Sequence, residues 1–309
     1  MEVITEMEFH VHWLSLTLWA DKEYALKMWE QWFQQHLGPL VAVGHGGRGF
    51  KGLYQALAAA KLYADPVGEG AYVHLEFPGS ACDALPPKLI QEFLITLNRW
   101  EKFRVSRLDL AWDGVGFTPQ HVVEAVSEEK LRSLLKRKTL HVHDQPFEER
   151  EDGVLGTSSV RLGSNQSSRM LRVYDKRGPV RLEFQTRAER ADLVARDVLL
   201  RLPQAWAEAA LAHLRDYVDF EDEGRLLSWW EQFVSEIGRA FKSISDARQL
   251  ELSRMTAWVM NQVAPTLSVL ADVIGEDIYT AITVQGRRKR GKRYEAVLAS
   301  AGGSDASYS

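Results

Sequence analysis

The stretch RLDLAWD, residues 107–113, alternates polar and apolar side chains, with Ala111 as the one small residue at a polar position. Successive side chains of a β-strand point to opposite faces, so this pattern predicts a strand with one apolar and one largely polar face. The apolar face would carry Leu108, Leu110 and Trp112. The opposite face would carry Arg107, Asp109, Ala111 and Asp113.

The same alternation occurs in VRLEFQTR (180–187), MLRVYDK (170–176) and AYVHLEF (71–77). The polar positions of these stretches are Arg181, Glu183, Gln185, Arg187, Arg172, Tyr174, Lys176, Tyr72, His74 and Glu76. We predict a mostly antiparallel sheet whose apolar face packs on helices and whose other face carries acids, bases and a tyrosine. The alternative is the ordinary solvated side of such a sheet.

Start and stop signals around the strands predict helices at Asp21–Leu37, Pro87–Lys102 and Thr118–Lys136. After Ala188 the pattern becomes helical, apart from an acidic break at Phe220–Gly224. The fold class predicted from this order is therefore α+β, an antiparallel sheet followed by an all-α C-terminal region.

The composition changes place the domain boundaries of this α+β chain. We predict a first domain over residues 1–222, a helical C-terminal domain over 223–295, and a disordered tail over 296–309.

The bulk composition is that of a globular protein, with 309 residues, 45% hydrophobic and 26% charged. Cys82 is the only cysteine, which excludes an internal disulfide and a Cys-rich zinc site and fits a reducing cytoplasm. No apolar run reaches the roughly 18 residues of a membrane span. The N-terminal MEVITEMEF has acids where a signal peptide has bases, so we expect a cytoplasmic protein without a membrane partner.

The formal net charge is −4, so a nucleic-acid partner requires locally concentrated Lys and Arg. Two such runs occur, KLRSLLKRK at 130–138 and RRKRGKR at 287–293. Either run is a candidate for DNA contact, and the alternative for each is a solvated surface.

Several segments, in order along the chain, resemble the replication initiation factor family. These proteins are the tyrosine initiators of rolling-circle plasmids and filamentous phages, and the family also includes relaxases of some integrative elements. The resemblance is carried by WLSLT (13–17), YVHLEFPGSACDAL (72–85), SRLDLAWD (106–113), SVRLGSNQSSRMLRVYDK (159–176), VRLEFQTRAERA (180–191) and WVMNQVAPTLSVL (258–270).

The resemblance implies an HUH-relaxase-like domain that nicks origin DNA, single-stranded or in a cruciform, and later rejoins it. Tyr174, in the Arg-x-Tyr-Asp-Lys motif, would attack a phosphodiester, form a 5′-phosphotyrosine and free a 3′-hydroxyl. Many members carry a second tyrosine where this chain has Arg161, so we assign the nucleophile to Tyr174. Lys176 and Arg172 would stabilise the phenolate or the phosphate.

The implied DNA-binding residues are Arg181, Arg187, Arg161, Lys136 and Arg137. For Arg181 and Arg187, salt bridges to Glu183 or Glu189 are the alternative.

The implied cofactor is Mg²⁺ or Mn²⁺, which takes oxygen ligands. Asp109 and Glu183 are the first candidates, and Asp113 or Glu76 would complete the set. Asp113 precedes Gly114, so capping a turn is its alternative role.

Other readings stay open at the level of the sequence. HVH at 141–143 and HVH at 10–12 are weaker metal candidates. The protein could instead be a DNA-binding regulator on the same scaffold, an adaptor whose C-terminal helices recruit a host helicase or polymerase, or a conjugative relaxase with the same chemistry.

Overall fold

The structure, a computed structural model, describes residues 7–100, 102–133, 140–144, 158–164, 166–175, 179–237, 263–275 and 277–288. The strands are β1 (Glu8–Leu18), β2 (Val41–Ala42), β3 (Phe50–Gln55), β4 (Lys61–Pro66), β5 (Val73–Phe77), β6 (Phe103–Asp113), β7 (Leu131–Ser133), β8 (Leu140–Asp144), β9 (Ser158–Leu162), β10 (Arg169–Asp175), β11 (Val180–Arg187), β12 (Val218–Asp222) and β13 (Arg225–Leu226). The helices are α1 (Lys22–Trp32), α2 (Gln34–Leu37), α3 (Gly79–Ala84), α4 (Pro87–Trp100), α5 (Pro119–Ser127), α6 (Glu189–Val198), α7 (Trp206–Tyr217), α8 (Ser228–Ile237), α9 (Ala264–Ile274) and α10 (Asp277–Arg288).

Ten strands form one sheet in the order β2-β3-β4-β5-β1-β6-β11-β10-β9-β8. Every neighbouring pair in it is antiparallel, which confirms the predicted fold class. The three strands with the clearest alternation, β6, β11 and β10, are adjacent in its centre. Strands β13, β12 and β7 form a separate three-stranded sheet.

The apolar face of the large sheet holds the core. Leu110, Trp112, Leu182 and Phe184 are fully buried. Trp112 packs between Phe9 of β1 and α8, with ring centroids 5.0 and 5.8 Å from Phe9 and Phe233. The alternation in the sequence therefore identified the face that packs on helices.

Helix α5 is shorter than its sequence predicted. Thr118 caps it together with His121, but it ends at Ser127 and Glu129 takes a left-handed backbone conformation with φ 61°. The chain then forms β7, which pairs with β12, so Leu131 lies opposite Phe220. Pairing between distant strands overrides the local helical pattern here.

The acidic stretch at 220–224 does not separate two domains. It forms the end of β12 and the turn to β13, and the acids of β12 neutralise part of the first basic run. Arg132 pairs with Asp219 and Glu221, and Lys130 Nζ lies 3.2 Å from Asp222. These two cations are therefore held in ion pairs, whereas Lys136 and Arg137 lie outside the described residues.

The chain divides into two compact units, Met1–Lys242 and Ser243–Ser309. The first unit includes α8, which the sequence assigned to the C-terminal domain. The described part of the second unit consists of α9 and α10. Among the described residues, no helix combines the length and apolar character that a bilayer crossing requires.

Helix α8 is part of the core of the first unit, and this gives a testable prediction. Trp230 is fully buried, packs 5.0 Å from Phe220, and donates its indole N–H to Asp219 at 2.9 Å. We expect Trp230→Ala to lower the free energy of unfolding by about 3–5 kcal/mol, because it leaves a cavity and removes one of the two donors to Asp219 Oδ1, the other being Arg215 Nε. Urea unfolding of the full chain measures this, and a loss below about 1 kcal/mol would contradict the assigned packing.

Candidate functional site

The polar face of the large sheet brings the predicted tyrosine and one predicted acid into contact. Tyr174 of β10 lies opposite Arg181 of β11, which is two residues along the strand from Glu183. The Tyr174 hydroxyl donates a hydrogen bond to Glu183 Oε2 at 3.2 Å. Glu183 is 4% exposed, and Tyr174 is half-buried. The phenol proton of Tyr174 therefore points at a buried carboxylate oxygen.

Burial, followed by the negative charge of Glu183, raises the pKa of Tyr174 to about 12. The nearby Arg181 guanidinium opposes this shift. The hydroxyl is therefore protonated near neutral pH, and it needs a base before its oxygen can act as a nucleophile. Glu183 is the group placed to accept that proton.

Asp109 of β6 is fully buried and firmly held. Arg107 donates to it from Nε and Nη2 at 3.1 and 2.5 Å, and the Gln185 amide donates at 2.9 Å. Burial, and less strongly the charge of Glu183, raise its pKa, while the hydrogen bond from Arg107 opposes the shift. Asp109 and Glu183 are thus close enough to repel each other, and each carboxylate favours a cation nearby.

Asp113 and Arg181 form an ion pair with two hydrogen bonds, next to Tyr174 and Glu183. Arg181 is 2% exposed and donates to the two Asp113 oxygens at 2.5 and 2.6 Å. Its remaining nitrogen, Nη1, lies 3.1 Å from His12 Nδ1. Arg181 therefore makes its salt bridge with Asp113, and not with Glu183 or Glu189 as the sequence suggested. Its burial leaves little guanidinium surface for a DNA backbone.

His12 lies between Arg181 and Glu183. It contacts Arg181, and its Nε2 also lies 3.9 Å from Glu183 Oε2. Strict alternation would place His12 on the apolar face with Leu14. The register of β1 against β6 shifts between Val11 and Trp13, so two residues of β1 oppose one of β6 at this point. Such a β-bulge turns a side chain toward the other face, and bulges are frequent next to active sites.

The other predicted site residues are Arg172, Arg187, Arg161 and Lys176. Arg172 is exposed, and its guanidinium carbon lies 5.2 Å from the centre of the Tyr174 ring. Arg187 pairs in register with Arg107 at the end of β11, and Arg161 of β9 lies opposite Arg172. Lys176 falls outside the described residues.

Glu76 of β5 belongs to a second group of charged residues, together with Lys61 of β4 and Arg48, which precedes β3. It is 3% exposed and pairs with Arg48 at 2.6 Å and with Lys61 at 3.7 Å. In the sheet, β1 lies between its strand and β6. This position separates Glu76 from Asp109 and leaves it as a partner of two cations.

Mg²⁺ and Mn²⁺ require oxygen donors that converge on one point. Within the described ranges, no group of three or more His, Cys, Asp or Glu residues converges on one point. Asp109 and Glu183 do fit such an ion by chemistry, since they are buried oxygen donors that repel each other. Asp113 would first have to leave its ion pair with Arg181. The side chains of His141 and His143 lie outside the described part.

Two histidines, the half-buried His12 and the buried His74, make the stability of the fold pH-dependent. Burial, reinforced by the charge of Arg181, lowers the pKa of His12 to about 4. Burial, reinforced by Arg48, lowers the pKa of His74 to about 4 as well. Above about pH 6.5 both rings are neutral whether folded or unfolded. Below that pH only the unfolded chain takes up these protons, until the folded pKa is reached, so stability falls as the pH falls.

We expect the free energy of unfolding to decrease by about 2 kcal/mol per histidine between about pH 7 and pH 5. His74→Phe should remove one histidine's share of this decrease, because phenylalanine retains the ring but does not titrate. Urea unfolding of both proteins at the two pH values is the measurement. An unchanged pH dependence in the variant would show that folding does not lower the pKa of His74.

Comparison with known proteins gave a family match and a structural match. Residues 103–283, more than half of the chain, match the family described as "Replication initiation factor". The solved "Structure of Rolling Circle Replication Initiator Protein from Geobacillus stearothermophilus" superposes with a TM-score of 0.60 and 19% identity, covering 76% of this chain and 99% of that chain. At this identity the match shows a shared fold.

Two further comparisons carry no functional argument. An aspartate kinase from Clostridium acetobutylicum aligns at 10% identity over 60% of this chain and 32% of that chain, and its TM-score of 0.15 indicates no common fold. A search among curated proteins found no match.

Proposed function

The chain belongs to the replication initiation factor family, and we propose that it starts rolling-circle replication by nicking single-stranded origin DNA with Tyr174. The observation that carries this proposal is the hydrogen bond from the Tyr174 hydroxyl to the buried Glu183. In this proposal the hydroxyl is the nucleophile and the carboxylate is its base, on the polar face of the sheet. The name of the structural relative from Geobacillus stearothermophilus agrees with a rolling-circle role.

The reaction is a transesterification. The Tyr174 oxygen bonds to phosphorus while its proton passes to Glu183, and the bond from phosphorus to the 3′-oxygen breaks. The 3′-oxygen takes up a proton and becomes the primer hydroxyl. The 5′-phosphate stays on Tyr174, and the reverse reaction rejoins the strand because the phenolate is a fair leaving group.

The neighbouring residues hold the reacting groups in position for this step. Arg107 and Gln185 fix Asp109, while His12 and Arg181 flank the Glu183–Tyr174 pair. Arg172, exposed beside the Tyr174 ring, is placed to meet a phosphate from the solvent side. We assign Mg²⁺ or Mn²⁺ to Asp109 and Glu183, where the ion would neutralise charge on the phosphoryl oxygens.

The direct test is to incubate the protein with a labelled single-stranded origin oligonucleotide and Mn²⁺. We expect a protein–DNA band that survives denaturant and disappears after protease treatment. Retarded DNA that never becomes resistant to denaturant would instead identify a DNA-binding regulator. A conjugative relaxase would give the same adduct, so the oligonucleotide must come from the replication origin.

A further inference from the structure

The N-terminal half of β1 has one edge that β5 does not cover. Strand β5 pairs with β1 only over Leu14–Leu18 and then continues into α3. Strand β1 runs on to Glu8, where β6 is its only partner among the described strands. A cavity of about 420 Å³, which we call the edge cavity, lies beside this uncovered edge. Its volume is in the range of about 300–1,000 Å³ that is typical of small-ligand sites.

The edge cavity has an apolar floor and a charged rim. Ile90 of α4, Trp206 of α7 and Cys82 of α3 line it and are buried. Glu8 and Asp83 also line it but are exposed. A flat apolar group can therefore lie on the floor while hydrogen-bond donors at its edge meet carboxylates at the rim.

The edge cavity adjoins the site around Tyr174 and Glu183. Arg181 and Asp113 are among its lining residues, and Arg181 also contacts His12 and Tyr174. His10 lines it as well, and the buried His10 Nε2 has no hydrogen-bond partner among the described residues. A ligand in the cavity would thus lie next to the phosphate that Tyr174 attacks, with a buried nitrogen still available to it.

We propose that the edge cavity binds one nucleobase of the DNA strand next to the nicking site and prefers a base with an exocyclic amino group. The proposal rests on single-stranded DNA being the substrate. The rim carboxylates disfavour a phosphate in the cavity, because the two groups carry like charge. They accept hydrogen bonds from the amino groups of adenine and cytosine, a contact that the O4 of thymine cannot make.

Binding of single-stranded homopolymers tests the inference without requiring nicking. Labelled strands of about 12 nucleotides, made of deoxyadenosine, deoxycytidine, thymidine or abasic units, are titrated with the full chain in EDTA and followed by fluorescence anisotropy. We expect the adenine and cytosine strands to bind about tenfold more tightly than the thymine and abasic strands. Asp83→Asn should reduce this difference, and Ile90→Trp, which fills the floor, should remove it.

The matched control is Glu92→Gln, on α4 with an exposed side chain, which should retain the full difference. Thermal unfolding of each variant shows whether it is folded, and the exposed position of Asp83 keeps one variant informative if Ile90→Trp is unstable. Equal affinity for all four strands, or a preference that survives both cavity variants, overturns the inference. A base preference without any covalent adduct supports the cavity and contradicts the nicking function, so the two can fail separately.

Discussion

Replacing Tyr174 with phenylalanine is expected to abolish the denaturant-resistant adduct and to lower the nicking rate by at least about 1,000-fold. Phenylalanine retains the ring beside Arg172 but lacks the oxygen that would bond to phosphorus. DNA binding should stay within about twofold, because the change removes no charge. Rate and affinity are measured separately, by denaturing gels and by fluorescence anisotropy.

Tyr217→Phe is the matched control. Burial also raises the pKa of Tyr217 to about 12, but its hydroxyl bonds to the Arg169 carbonyl and not to Glu183. The Tyr217→Phe variant should therefore nick at the normal rate. Normal nicking by Tyr174→Phe would mean that another residue is the nucleophile, and mapping the DNA-linked peptide would then identify it.

Glu183→Gln is expected to lower the nicking rate by about 100- to 10,000-fold, the usual contribution of a general base. The amide keeps the shape of the side chain and an oxygen that can accept from Tyr174, but it cannot take the proton. It also removes one of the two acids assigned to the metal ion. Single-turnover nicking at saturating protein measures the loss without the contribution of binding.

Glu76→Gln distinguishes a specific role from a general effect of losing a buried acid. Glu76 is as buried as Glu183 and lies on the same large sheet, but its partners are Arg48 and Lys61. We expect it to affect stability more than the nicking step. Similar losses of nicking in the two variants, with both proteins folded, would contradict the assignment of Glu183 as the base.

The alternation of polar and apolar residues was sufficient to predict which face of the sheet carries the candidate site. Alternation in β6, β10 and β11 placed Asp109, Tyr174 and Glu183 on one side of a sheet, and the structure brings Tyr174 and Glu183 into hydrogen-bond contact. A period of two depends only on backbone geometry, so it can be read without knowing the strand order.

The parts that depend on distant pairing could not be predicted in this way. The bulge in β1 moves His12 onto the polar face, although its spacing from Leu14 indicates the opposite face. The partner of Arg181 is Asp113, which is 68 residues away and is brought opposite by the register of β11 against β6. Helix α5 ends early because β7 pairs with β12, and no local signal in 128–136 indicates that partner.

The position of Cys82 makes this protein well suited to site-specific chemical labelling. It is the only cysteine, it is buried in α3, and its Sγ donates to the Phe77 carbonyl. Burial raises the pKa of its thiol far above the ordinary value, so the folded protein should react slowly with maleimides. A cysteine introduced at an exposed site can then take a fluorophore while Cys82 stays in place, and any slow modification of Cys82 would report how often α3 opens.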